Sequence, residues 1–294
     1  MDSSILAFHL RPINAITLAI DNKSTDHYYS SLIAKKFSIN HLIITKTYSE
    51  ILTYIEQLIQ DFKTFDPIFL KNSVVQLIAI ETAYKKNIKS LCLGDGADEL
   101  FAGYNFLQKY INTPSIIEKK ISYMTDNMDF FSKKISSKFG IKVLLPFVNN
   151  QVIELSKKIK TDQKISQYNG TVYGKFFLRK CYEDELGMKI VWRKKAALEE
   201  GSGVTNLGEY INNKLDDNLF SIGVEKSKEE GVAIRDKEHL FFYKLYRKYY
   251  QPPKKEFKKN NPKKSDCKIC TFCHSISSLN SSYCKICGCY TNQQ

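Results

Sequence analysis

Residues 90–104 read Ser-Leu-Cys-Leu-Gly-Asp-Gly-Ala-Asp-Glu-Leu-Phe-Ala-Gly-Tyr. The apolar run 90–94 has strand character, and Gly94 and Gly96 permit a tight turn directly after it. The turn opens into the periodic stretch 99–110, which predicts an amphipathic helix. A strand that turns through glycine into a helix is the repeating unit of open α/β sheets, and ligands bind at those strand ends. Asp95, Asp98 and Glu99 place three carboxylates within five residues. Magnesium takes hard oxygen ligands, typically one or two carboxylates plus substrate phosphates, so the loop predicts a Mg²⁺ and polyphosphate site with Asp98 as leading ligand. The competing reading is a solvated acidic turn.

Outward from this loop, β-rich runs at 16–21 and 41–46 alternate with helical patterns, which predicts an α/β fold with a mostly parallel sheet and flanking helices. After the second run, Thr47 and Glu50 offer a capping box, and Ile51, Leu52, Ile55, Leu58, Ile59 and Phe62 recur at helical spacing. A further helix is expected over 73–86. Beyond Lys157 no strand is evident, and 175–185 and 237–250 read as helices with aromatic faces, so a helical C-terminal part is expected.

The 294 residues, 43% hydrophobic and 26% charged, suit one large domain plus a small module. No apolar run approaches the roughly 18 residues of a membrane span, and the N-terminus lacks an export pattern, so a cytoplasmic protein is expected. The net charge of +13 would fit a nucleic-acid partner, but six lysines fall in the Pro- and Asn-containing stretch 251–266, which reads as a solvated linker. The expected boundaries are therefore a domain at 1–250, the basic linker 251–266 and a module at 267–290.

Six of eight cysteines lie between Cys267 and Cys289. Cys270-Thr-Phe-Cys273 and Cys284-Lys-Ile-Cys287 form two CxxC knuckles, the spacing of a structural tetrahedral zinc site in a short ribbon. Cys267-Lys-Ile-Cys270 is itself a CxxC, so Cys267 in place of Cys273 stays open, with His274 a spare ligand. Cys92 and Cys181 read as packed core thiols. Four protein ligands close the metal's coordination, which argues for a structural role. As an adaptor, the ribbon would contact protein before RNA.

The stretch 94–104 resembles the signature of the asparagine synthetase family, in which Gly-Glu/Asp-Gly-Ser/Ala-Asp-Glu precedes a hydrophobic pair and Gly-Tyr. Asp2-Ser3-Ser4 resembles the tail of that family's Ser-Gly-Gly-x-Asp-Ser-Ser loop. The segment 173–179 resembles its Lys-x-x-Leu-Arg helix, Trp192 to Lys195 its Arg-Lys-Lys segment, and 237–250 its C-terminal helix. The resemblance covers most of residues 2–250. It implies an adenine nucleotide alpha hydrolase-like ATP pyrophosphatase domain. It also implies an amide-forming ligase using ATP and Mg²⁺, in which a carboxylate amino acid such as aspartate is adenylated, pyrophosphate leaves, and ammonia attacks the acyl carbon. By the same resemblance Asp2 and Asp98 hold Mg²⁺, and Asp2, Ser3, Ile20, Leu93, Gly94, Asp98 and Lys195 contact ATP. Lys195 and Asp95 are the catalytic pair, with Asp95 standing where the family places a glutamate that handles the amine proton.

The sequence departs from the family in several places. No glutaminase half precedes residue 2, so ammonia is expected free or from a glutaminase partner protein. The leading Ser-Gly-Gly and its strand are not present, which suggests a start assigned short or a split gene. Leu144 and Asn149 replace the arginine and aspartate of the family's Arg-x-Pro-Phe-Leu-Asp, and Leu198 replaces a phenylalanine. Three alternatives stay open: a relative acting on another carboxylate, such as the β-lactam-forming synthetases; an RNA-modifying ATP pyrophosphatase; and a catalytically silent homologue.

Overall fold

The computed structural model describes residues 1–20, 24–256, 267–279 and 281–290. In chain order, α1 (Asp2–Leu10), β1 (Asn14–Ile20), α2 (Thr25–Lys36), β2 (Asn40–Lys46), α3 (Tyr48–Phe62) and α4 (Pro67–Lys85) lead to β3 (Ser90–Cys92). There follow α5 (Ala97–Leu100), α6 (Pro114–Asp126), α7 (Phe131–Ser137), β4 (Lys142–Leu144), α8 (Asn150–Lys158), α9 (Thr161–Lys164), β5 (Ile165–Tyr168) and β6 (Thr171–Gly174). Helices α10 (Phe176–Cys181), α11 (Glu183–Leu186), α12 (Met188–Val191), α13 (Leu198–Ser202), α14 (Leu207–Lys214), α15 (Asp217–Glu229), α16 (Lys237–Tyr249) and α17 (Pro253–Glu256) precede β7 (Cys267–Ile269) and β8 (Ile276–Ser278). Among the described residues, no helix is long and apolar enough to cross a membrane.

The chain divides into two compact units, one of residues 1–19, 24–44 and 79–197, the other of 20–23, 45–78 and 198–294. In the first, Ile5 and Leu6 of α1, Ile33 of α2, Ala97 and Leu100 of α5, Phe101, Phe147, Leu178 of α10 and Val191 of α12 form one buried cluster. In the second, α3 packs on α16. Thr47 caps α3 as its spacing predicts: Glu50 N–H donates to Thr47 Oγ1 at 3.3 Å, and Thr47 N–H to Glu50 Oε2 at 2.9 Å. Ile51, Ile55, Leu58 and Ile59 are fully buried along one face, each contributing about 1.5–3 kcal/mol by leaving water.

The expected sheet is only partly present. β3 and β4 pair in parallel, Ser90 with Lys142 through Cys92 with Leu144, and β1 pairs with β2. Strands join two by two, and no wider sheet exists among the described residues, which are mostly helical. β3 is three residues long and its ladder ends where Gly94 begins the turn, so it supports one short partner and no continuous sheet.

Two further expectations are corrected. The absence of strands after Lys157 is overturned by the antiparallel hairpin β5–β6, whose connection is Asn169-Gly170 with φ of 47° and 78°. Positive φ at both residues is the requirement of a type I′ turn, which Asn-Gly meets with least strain. The helix expected over 99–110 stops after one turn at Leu100, and a 3₁₀ turn follows only at Asn105–Tyr110. It breaks because Gly103 runs against Asp98 and Lys175, so the backbone there follows the site and not helical periodicity.

In the second unit, β7 and β8 form the antiparallel hairpin of the cysteine module. The module is hydrogen-bonded into its surroundings: Phe65 N–H donates to Ile286 O at 2.8 Å, Thr64 Oγ1 to Lys285 O at 2.8 Å, and Ala233 N–H to Phe272 O at 2.7 Å. Most of the expected linker, 257–266, lies outside the described residues.

Candidate active site

Glycines bring the acidic groups together. A Cβ on Gly94 would meet Asp2 Cβ at 2.8 Å and Ser3 N at 3.2 Å, so only glycine lets the loop after β3 press against the first turn of α1. That contact places Asp2 beside the 94–99 loop. On the other side, a Cβ on Gly174 would strike the Ala102 carbonyl, so the end of β6 lies flat on residues 102–103. Lys175 follows with φ of 56°, its amide donating to Phe101 O at 2.8 Å.

Lys175 Nζ donates to Asp2 Oδ2 at 2.5 Å and lies 2.6 Å from Asp98 Oδ1, with only 4% of its side chain exposed. Lys195 Nζ approaches Asp98 Oδ2 at 3.2 Å. Asp2, Asp98 and Lys195 are therefore brought together, as the resemblance implies. The group that joins them, Lys175, was not among the predicted site residues. Its position in the matched stretch 173–179 was the available signal, but its importance depends on packing that no local pattern announces.

Burial alone would raise the Asp98 carboxyl, but the Lys175 and Lys195 ammonium groups outweigh it and hold it at about 2. Burial would likewise lower the Lys175 ammonium, yet Asp2 and Asp98 raise it above its ordinary value. Asp2 Oδ1 is buried and receives no hydrogen bond from the described residues, and Asp98 Oδ1 is buried against the Lys175 ammonium. Two buried carboxylates sharing one cation are the hard oxygen donors a divalent ion takes, so these residues fit Mg²⁺.

Asp95 accepts from Ser132 Oγ at 2.8 Å. Burial, with Asp2 and Asp98 nearby, raises its carboxyl and makes it a better proton acceptor than an ordinary aspartate. Glu99 accepts from the Tyr104 hydroxyl at 2.7 Å, and burial raises its carboxyl too.

Lys195 is held in place from behind. Arg179, on α10, donates through Nη1 to Arg193 O at 2.9 Å and to Val191 O, and through Nε to Gly174 O at 2.9 Å. The Trp192 ring stacks on Tyr168 of the hairpin with centroids 3.8 Å apart, and its Nε1 donates to Glu183 at 2.8 Å. Arg193 itself turns away to Asp26 at 2.8 Å, and Lys194 is exposed, so of the three basic residues only Lys195 reaches the carboxylates.

The remaining predicted residues are less central. Ser3 is exposed on α1, the Leu93 amide is taken by Leu144 O at 3.0 Å, and Ile20 is completely buried in the second unit. Leu144 is exposed, and Asn149 caps α8 by accepting from Gln151 N–H at 2.9 Å.

In the second unit, Cys270, Cys273, Cys284 and Cys287 are buried with their sulfurs within 4.8 Å of one another, which favours Cys273 over Cys267 as the fourth member. Cys270 and Cys287 sulfurs, and those of Cys273 and Cys284, are each 3.7 Å apart. A tetrahedron with zinc–sulfur bonds of about 2.3 Å has edges of about 3.8 Å, so the cluster has the dimensions of a zinc site.

The asparagine synthase family profile matches residues 1–121 and 119–265. Asparagine synthetase B [glutamine-hydrolyzing] of Escherichia coli (strain K12) is 26% identical over 176 residues, 58% of this chain and 31% of that protein. Asparagine synthetase [glutamine-hydrolyzing] 1 of Saccharomyces cerevisiae is 22% identical over 229 residues, 72% of this chain and 39% of its own. The enzyme of Triphysaria versicolor is 24% identical over 156 residues, 51% and 27%. The chain spans about a third of the length of the curated relatives it matches. With the profile covering nearly the whole chain and the matched motifs converging on one acidic and basic cluster, the chain belongs to the asparagine synthase family.

Proposed function

We propose that the chain is an ATP-dependent amide-forming ligase. A carboxylate oxygen of the substrate attacks the α-phosphorus of ATP, and the bond to pyrophosphate breaks. Ammonia then attacks the acyl carbon, AMP leaves with the shared oxygen, and the amine gives up a proton. The observation that carries this reading is the convergence of Asp2 and Asp98 with Lys195 and Lys175 in one buried cluster.

When bound, Mg²⁺ would supply charge to the departing pyrophosphate, with Asp2 and Asp98 holding it. Lys195, partly exposed and two residues beyond the Arg193 carbonyl that Arg179 holds, would meet the same developing charge from the protein side. Asp95, its carboxyl raised by burial, is the group to take the amine proton, and Ser132 fixes its direction. Leu93, Gly94 and Ser3 are proposed to contact the nucleotide.

Aspartate is the parent substrate, and the exposed Leu144 supports testing carboxylates without a second acidic group alongside it. Ammonia would come free or from a glutaminase partner. The zinc proposed for Cys270, Cys273, Cys284 and Cys287 is structural. A cytoplasmic location and the division into a 1–250 domain, linker and ribbon belong to the same reading.

The test is ATP–pyrophosphate exchange by the zinc-loaded chain across a panel of carboxylates. Exchange that depends on one carboxylate and on Mg²⁺ is expected. ATP binding without exchange for any carboxylate would contradict the ligase assignment.

A further inference from the structure

The acidic cluster contains its own cation. Asp2, Asp95, Asp98 and Glu99 bring four carboxylates into one region, and Lys175 and Lys195 bring two ammonium groups. Counted as charged, these six groups carry a net charge of −2, so the region favours a further cation. Lys175 sits between Asp2 and Asp98, 2.5 and 2.6 Å from their oxygens, which is where a cation shared by the two would sit.

The backbone behind it is unusual. A lysine at φ 56° occupies the left-handed region, which costs a residue with a Cβ about 1 kcal/mol or more. The conformation is imposed by Gly174 lying on Ala102 and by the Lys175 amide bonding Phe101 O. The main chain is thus fixed, while a four-carbon stem lets the ammonium swing without moving it.

We infer that the Lys175 ammonium holds the place of the divalent cation in the nucleotide-free chain, so that the cation enters only together with a triphosphate. The inference rests on the ligase reading for the identity of the triphosphate ligand. Bare divalent ion meets a filled position and must displace a fixed positive charge. A metal–triphosphate complex brings anionic oxygens that give the displaced ammonium a new partner. The device keeps the two carboxylates from binding a cation unproductively, and makes Lys175 a phosphate contact once the site is loaded.

The experiment is Mn²⁺ binding followed by electron paramagnetic resonance, without nucleotide, on the zinc-loaded full chain. Wild type is expected to bind Mn²⁺ weakly. Lys175→Met is expected to bind one Mn²⁺ on the order of tenfold tighter or more, because a competing charge is gone. Adding Asp98→Asn to that variant is expected to abolish the gain, which assigns it to this cluster. Unchanged or weaker Mn²⁺ binding by a Lys175→Met chain with wild-type circular dichroism would overturn the inference, as would a gain that survives Asp98→Asn. If Lys175→Met does not fold, Lys175→Gln, which can still hydrogen-bond both carboxylates, takes its place with the same two outcomes. The ligase reading fails separately, by absence of pyrophosphate exchange in wild type, which leaves the Mn²⁺ result standing on its own.

Discussion

Gly103→Ala tests how closely the cluster depends on packing. A Cβ at this position would overlap Asp98 Oδ1 and Lys175 Cε and lie 2.9 Å from Asp98 Cα. The side-chain ends can move, but the α-carbon cannot move without shifting α5, so the Lys175–Asp98 pair must open. At an effective dielectric of about 20, two unit charges attract by about 6 kcal/mol at 2.6 Å and about 4 kcal/mol at 4.5 Å. The first unit should therefore lose about 3 kcal/mol of stability in urea denaturation. Pyrophosphate exchange should fall roughly a hundredfold, the penalty for misplacing reacting groups by about an ångström. The effect should be strongly non-additive with Lys175→Met, since both substitutions break the same contact. Gly208→Ala is the control: its Cβ would meet Glu238 only at ordinary contact distance, 3.4 Å, and in the first turn of α14 alanine is the better helix former. Wild-type stability and exchange in Gly103→Ala, or simple additivity with Lys175→Met, would refute the reasoning.

Lys195→Ala is expected to lower pyrophosphate exchange by at least about a hundredfold while leaving zinc content unchanged, and near-normal exchange would remove Lys195 from the mechanism. The Asp98 carboxyl is lowered from 3.8 to about 2 in the folded chain, so its contribution is complete above the unfolded value and lost as pH falls from about 4 to about 2. That contribution is about 2 kcal/mol, so urea denaturation of the wild type should show a steeper acid-side decline than Asp98→Asn, and parallel curves would contradict the ion-pair account. Stripping metal with a chelator, or replacing Cys270, Cys273, Cys284 or Cys287 by serine, should lower the melting temperature of the second unit, whose residues Thr64, Phe65 and Ala233 are bonded to the module. Cys267→Ser should retain zinc, and zinc loss in that variant would reopen the ligand assignment.

Local chemistry was the part of the fold most legible in sequence. The Thr47–Glu50 capping box and the buried face of α3 follow from spacing alone, because both are decided within two turns of helix. The four clustered cysteines were equally legible, but the choice between Cys273 and Cys267 needed the hairpin register that sends Cys267 into β7. The hairpin β5–β6 was missed although Asn169-Gly170 is the strongest short turn signal a sequence can carry, because its strands are only four residues each.

The misses at Gly103 and Lys175 have one cause. Helical periodicity across 99–110 is overridden by an approach between segments some 70 residues apart in sequence, and that approach is what builds the cluster. Local rules fail where a site imposes its own geometry. The broad parallel sheet was expected from alternating elements, but β3 and β4 are too short to extend it and the strands stay in pairs.

The central claim is that Asp2, Asp98, Lys175 and Lys195 enclose a magnesium-bound triphosphate. A crystal structure of the chain with Mg²⁺ and an α,β-methylene analogue of ATP tests it most directly. The account predicts the metal about 2.1 Å from an oxygen of Asp98 and of Asp2, with Lys195 and a displaced Lys175 on phosphate oxygens. A nucleotide bound elsewhere, with Lys175 still lodged between the two aspartates, would contradict it.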